Sequence, residues 1–197
     1  MLTVFIGEIL REKGMIAGDL QAVAVSKGPG SYTGLRIGVS VAKGIAYGAS
    51  IPLIGIETTL SMFHGMKEHA QTFSTAADLL FCPMLDARRM EVYFAIYNQA
   101  GFKAKDIKAE VINENSFSDL LDNQPIIFFG DGALKCRDVI RHKNAIFAEN
   151  FSISASHMQN PVIEAFNNNA FEDVAYFEPL YLKDFITSTP KRNILGK

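Results

Sequence analysis

The sequence has 197 residues, nearly half of them apolar and a fifth charged, with a net charge of −2. That length suits one large domain or two small lobes with a sizeable core. The charge excludes the strong basic excess that autonomous nucleic-acid binding needs. Cys82 and Cys136 lie far apart and form no CxxC pair. They build no disulfide framework, so a reducing, cytoplasmic setting is expected, with both read as buried thiols. Residues 1–10 lack a basic n-region and carry Glu8, which argues against a secretory signal. No run approaches ~18 continuous apolar residues, so no membrane span is expected.

Leu2, Phe5, Ile6, Ile9 and Leu10 fall at i, i+3, i+4, i+7 and i+8, the apolar stripe of a helix that Gly14 stops. Residues 22–25 read as a short buried strand. A Gly28-Pro29-Gly30 turn leads into a long helix over about 33–48. Residues 52–56 predict another strand, and 58–69 a helix. The second half opens with strands over 79–85, 91–97 and about 102–112, the last two joined by the Asn98-Gln99-Ala100-Gly101 turn. Ser116 with Asp119 three residues on predicts a capped short helix. Then come a strand over 125–129, a helix over 132–142, a strand over 145–147 and a helix over 155–166. Asn167-Asn168-Asn169 reads as a loop.

The first half thus reads α-β-α-β-α and the second β-β-β-α-β-α-β-α. The two agree when the first lacks three opening strands. Three meandering strands followed by alternating helices and strands make a ribonuclease H-like lobe. The expected class is α/β, with two such lobes, residues 1–77 and 78–197, resembling the sugar kinase, Hsp70 and actin (ASKHA) superfold.

The segment Ser26-Lys27-Gly28-Pro29-Gly30-Ser31-Tyr32-Thr33-Gly34-Leu35-Arg36-Ile37-Gly38 joins a strand to a helix. Pro29 fixes its own φ and the flanking glycines permit φ > 0, so the chain reverses sharply. Ser31 or Thr33 can cap the helix. A phosphate cradle fails on spacing. A P-loop ends in Gly-Lys-Ser/Thr, and a dinucleotide fingerprint reads G-x-G-x-x-G, one residue shorter than the pattern here. The turn therefore reads as a tight strand-to-helix connection. In the helix, Gly34, Gly38 and Ala42 are spaced by four, as are Ser40, Gly44 and Gly48. A helix-interior glycine costs roughly 1 kcal/mol against alanine. Several together imply close backbone neighbours, either within the chain or on a second one.

His64 and His69 stand five apart, which turns their rings roughly 140° from one another on a helix. Neither H-E-x-x-H nor a G-x-S-x-G elbow is present. His142 and His157 are isolated, and all four histidines read as surface or structural. No metal or cofactor is expected. Asp86, Arg88 and Glu91 read as a salt bridge or turn anchor.

The stretch 28–38, GPGSYTGLRIG, resembles the hallmark of the TsaB (YeaZ) family nearly residue for residue. IPLIGIET (51–58), DARRMEVY (86–93) and EPLYLK (178–183) agree with that family in order and approximate spacing. The resemblance covers almost the whole chain. One departure is large: the family opens with a strand carrying Asp-Thr-Ser/Thr and a hairpin, which this sequence lacks. The resemblance implies a non-catalytic subunit that binds TsaD and, with TsaE, supports threonylcarbamoylation of tRNA adenosine next to the anticodon. It implies contact with tRNA only through that complex, and a homodimer when alone. TsaD itself holds a metal with His-x-x-x-His, which is absent here. The alternatives are a metal-dependent peptidase or ATPase of the same superfamily, or a stand-alone homodimeric structural protein.

The family's first two helices mediate its assemblies. The expected face is therefore Leu2, Phe5 and Ile9 on the first helix, with Tyr32, Leu35, Arg36, Gly38, Val39 and Ala42 on the second. Leu2, Ile6 and Ile9 are also able to turn inward, which would leave Phe5 as the available residue. Gly28, Pro29, Gly30, Ser31, Thr33 and Gly34 form the structural turn.

Overall fold

The computed structural model describes residues 1–74 and 76–182. The first helix, α1 (Leu2–Glu12), ends as its sequence requires: Gly14 takes φ +64°, the Gly14 N–H reaches the Arg11 carbonyl, and the Met15 N–H reaches that of Leu10. That pair of bonds satisfies carbonyls the helix would otherwise leave open. Next come β1 (Val23–Gly28), α2 (Tyr32–Ala49), β2 (Leu53–Glu57) and α3 (Thr58–Lys67). β1 and β2 form a parallel pair, Val23 opposite Leu53 and Ser26 opposite Ile56, the neighbour relation the sequence predicts.

The second sheet holds β3 (Leu80–Asp86), β4 (Glu91–Tyr97), β5 (Lys103–Val111), β6 (Ile126–Phe129) and β7 (Ala145–Ala148), in the order β5-β4-β3-β6-β7. The β3–β4 and β4–β5 pairs are antiparallel, and β3–β6 and β6–β7 are parallel. Because side chains alternate along a strand, Leu80, Cys82, Met84, Ile126 and Phe128 enter one core and Phe81, Leu85, Ile127 and Phe129 the other. The first core is closed by Phe117, Leu121, Cys136 and Ile140. The second is closed by Met62, Phe63 and Met66 of α3. Helix α3 also touches β1 and β2, so it lies between the two sheets. The buried Thr59 and Tyr97 hydroxyls bond at 2.9 Å across that contact.

Two sequence expectations fail in this half. Residues 132–142 form only a 3₁₀ turn, Leu134–Cys136, rather than a helix. Here the chain is pressed onto β3: the Gly132 N–H donates to the Met84 carbonyl, and a Cβ at Gly132 would lie 2.7 Å from the Leu85 backbone. Lys135 is drawn aside to Asp86 and the Glu91 carbonyl. Ser116 does not cap a helix either. The short α4 (Ser118–Leu121) begins after Phe117, and the Ser116 hydroxyl instead accepts from the Asn113 N–H at 3.0 Å. The expected helix over 155–166 begins as a 3₁₀ turn, Ala155–Met158, and continues as α5 (Gln159–Asn167).

After α5 the chain returns to the first sheet. Glu172 donates its N–H to the Leu53 carbonyl at 2.8 Å, and its carboxylate meets Lys27 Nζ at 3.2 Å. Phe177 then enters the small core formed by Val39, Ala42, Ala46 and Leu53. The Leu180 N–H donates to the Lys27 carbonyl at 2.6 Å. Residues 172–181 thus strap the β1–β2 pair and α2.

Candidate partner-binding face

The turn before α2 is built as its residues dictate. Gly28 takes φ +112° and is buried with Pro29. The Ser31 hydroxyl, not that of Thr33, caps α2 by accepting the Gly34 N–H at 3.3 Å. Gly30, Thr33 and Gly34 complete the connection, Thr33 and Gly34 facing outward.

On α2 the buried side is Val39, Ala42 and Ala46, which pack on Val23, Val25 and Leu53. Val39 and Ala42 are therefore core residues and not part of an external face, a correction to the sequence reading. Gly38 also looks inward: its Cβ position lies 3.7 Å from Val25. The glycines that open outward are Gly44 and Gly48, where nothing stands within 4 Å. Around them the exposed residues are Thr33, Ile37, Ser40 and Tyr47, with Tyr47 82% exposed. These positions recur at three- and four-residue intervals, one stripe on the helix.

Helix α1 leans on α2 and buries no residue. Ile6 and Leu10 are the half-buried positions, whereas Leu2, Val4, Phe5 and Ile9 are exposed. Leu2 and Ile9 thus do not turn inward as the sequence allowed, and they join Phe5 on the open side. Tyr32 and Leu35 are half-buried and Arg36 is exposed. The Arg36 guanidinium sits 4.5 Å over the Tyr32 ring and donates from Nε to the Tyr181 hydroxyl at 3.4 Å. That bond, with the two phenol rings beside it, raises the Arg36 pKa. Val4, Ile37, Tyr47 and Tyr181 were missed from sequence. The α1 stripe already contained Val4's neighbours, but Tyr181 carries no local signal.

Elsewhere the titratable groups lie in a turn, in the core and on α3. Asp86 anchors the turn after β3, accepting the Arg88 N–H at 2.8 Å and pairing with Lys135. The Lys135 hydrogen bond first, then that from the Arg88 backbone, lowers its pKa. Burial raises the thiol pKa of both Cys82 and Cys136. Burial lowers that of His64, helped by the charge of Lys67. Among the described residues no group of three or more His, Cys, Asp or Glu is placed to hold a metal, and no helix is long and apolar enough to cross a membrane.

Residues 1–191 match the family model described as TsaD: tRNA N6-adenosine threonylcarbamoyltransferase. The chain belongs to that family. Within it, the TsaB (YeaZ) members are the relatives that the 28–38 motif implied. The tRNA threonylcarbamoyladenosine biosynthesis protein TsaB of Escherichia coli K12 is 40% identical over 93 residues, 47% of this chain and 37% of that protein. The TsaB of Bacillus subtilis 168 is 32% identical over 144 residues, 70% of this chain and 56% of that protein. The chain thus spans between about a third and rather more than half of these TsaB relatives. The structure titled YeaZ from Pseudomonas aeruginosa superposes with a TM-score of 0.75 at 20% identity, covering 92% of this chain and 82% of that one. At that identity the likeness is one of α/β fold.

Proposed function

We propose that this chain is a non-catalytic subunit that binds a TsaD protein and supports threonylcarbamoylation of tRNA adenosine. In this reading TsaE joins the larger complex, tRNA is met only through it, and the free chain pairs with itself. The reading takes residues 1–77 and 78–197 as two ribonuclease H-like lobes of the ASKHA kind. The strand order β5-β4-β3-β6-β7, with its antiparallel meander and parallel additions, supports that assignment for the second lobe. Residues 183–197 of that lobe, with Lys183 of the EPLYLK segment, lie outside the described residues.

The observation that carries the reading is α1. A helix with Leu2, Val4, Phe5 and Ile9 exposed and no buried residue gains little from its own fold. Ile37 and Tyr47 of the neighbouring α2 are exposed as well, and exposed apolar side chains in number are of the sort that marks a protein-binding face. The names of the TsaB relatives support the pathway, and the match to the TsaD family model fits a pair of related subunits.

The test is calorimetric titration of the chain with TsaD, native and with Phe5→Asp. Native binding that falls at least about tenfold in Phe5→Asp, with circular dichroism unchanged, supports the reading. Native chain that gives no binding heat at micromolar concentrations, or a Phe5→Asp affinity equal to native, would sink it.

A further inference from the structure

We propose that the cleft between the end of α3 and the start of β3 binds a small organic carboxylate. Lys67, Gln71 and Ser74 hold the anion, and its short apolar body lies against Ala70, Ala77 and Leu79.

The cleft has a volume of about 460 Å³, within the range of small-ligand sites. One wall is the end of α3 with the 3₁₀ turn Ala70–Thr72 that follows it. The approach to β3 forms the second, and Gln99, in the turn that joins β4 to β5, forms the third. These walls are tied in place. The His69 and Ala70 carbonyls accept the Thr72 and Ser74 N–H groups at 3.0 and 3.1 Å. Gln99 Nε2 donates to the Ala76 carbonyl at 2.8 Å, across the cleft's rim. The floor is apolar and packed: Ala70, Leu79 and Phe81 belong to the core that Phe63 and Met66 close.

Above that floor stand hydrogen-bond donors without acceptors. Among the described residues no carboxylate pairs with Lys67, whose ammonium lies 5.7 Å from the centroid of the Phe63 ring. The Ser74 hydroxyl oxygen accepts the Ala76 N–H at 3.2 Å, which leaves its own proton to donate. The Gln71 carboxamide has no partner among the described residues. Lys67, Gln71 and Ser74 follow one another at intervals of four and three, which keeps them on one side of a helical path. A group that meets an ammonium, an amide and a hydroxyl together is an anion with more than one acceptor oxygen, and a carboxylate supplies two. The apolar floor adds the second requirement. A hydrocarbon of a few carbons behind the carboxylate covers it, whereas a bare inorganic anion gains nothing from it.

The experiment is a proton–nitrogen correlation NMR titration of the full chain with sodium hexanoate, native and with Lys67→Gln and Lys143→Gln. Hexanol and acetate are the comparison solutes. Lys143, exposed and placed before β7, is the control. The expected result is saturable shifts at Ala70, Gln71, Ser74, Ala77 and Leu79 with a millimolar dissociation constant. Binding should weaken about tenfold in Lys67→Gln, the worth of one charge-assisted hydrogen bond, and stay unchanged in Lys143→Gln. Lys67 is exposed, so its variant should keep the native melting temperature. Hexanol and acetate should each bind at least about tenfold more weakly than hexanoate, one for want of the charge and the other of the hydrocarbon. No saturation by about 20 mM hexanoate overturns the site, as do shifts confined to other parts of the chain, an unchanged constant in Lys67→Gln, or an equal loss in Lys143→Gln. Hexanol as tight as hexanoate overturns the anion contact, and acetate as tight as hexanoate overturns the apolar one.

Discussion

The carbonyl oxygen of Leu180 lies 2.9 Å from the point where a Cβ on Gly28 would sit, with a Leu35 methyl at 3.2 Å on another side. Glycine is therefore demanded twice at position 28, by its φ of +112° and by the backbone passing over it. Gly28→Ala is expected to destabilise the chain by roughly 2 kcal/mol or more. Urea unfolding measures this. A midpoint equal to native would mean that the strap does not hold this position in solution.

The α2 glycines divide into two kinds. Gly44→Ala meets no neighbour and gains helix propensity, so the free chain should be stabilised by up to about 1 kcal/mol. Gly44→Leu should fold and lose self-association, because it adds bulk to the outward side of α2. Gly38→Leu should instead lower the melting temperature, because Val25 stands against it. The reverse pattern, Gly38→Leu stable and Gly44→Leu still paired, would put the partner face on the wrong side of the helix.

The Thr59–Tyr97 bond is buried at both ends. Thr59→Val leaves the Tyr97 hydroxyl without that partner and should cost about 1–3 kcal/mol. Tyr97→Phe in the same background should restore part of the loss. A double-mutant cycle with no coupling between the two would count against the contact between α3 and β4.

Asp86 gives a pH dependence of known sign. Its folded pKa lies below the ordinary 3.8 because the Lys135 bond favours the carboxylate. A group depressed on folding adds stability above its unfolded pKa and loses it as pH falls through the folded one. Asp86→Asn should therefore lower stability at neutral pH and flatten the loss below about pH 4. A variant whose acid limb is as steep as native would show that Asp86 does not drive it.

Helix α1 buries nothing, so its amides should exchange with solvent far faster than those of β3 and β6 in the free chain. Protection of residues 2–12 should rise when the chain pairs. Equal protection of α1 and β3 at concentrations where the chain is monomeric would contradict this account.

What the sequence revealed follows from where its signals are local. Strand 91–97 and helices α1 and α2 carry strong periodicity or capping residues, and they appear within a residue or two of expectation. The missing helix over 132–142 has a tertiary cause, since Gly132 folds against β3 and no pattern within the segment says so. On sequence, Val39 and Ala42 stand on the same helix as Tyr32, Leu35 and Gly38 and are read with them as partner face, yet both are buried. Only the position of the β1–β2 sheet decides which side is inward. The strap was invisible for the same reason. Tyr181 is set by Arg36, 145 residues away, and no window along the chain spans both.

That separation also orders events at the ribosome. Lys27 waits for Glu172, 145 residues later, and Phe177 fills the core beneath α2 later still. At about 5–20 residues per second, the β1–β2 pair is without its strap for on the order of ten seconds. A two-stranded sheet is marginal by itself, and contacts this distant in sequence are slow to close. The β1–β2 pair, made well before residues 172–181, is thus among the last parts of the described chain to settle. In a nascent chain it is the part most open to chaperones and proteases until the strap has emerged.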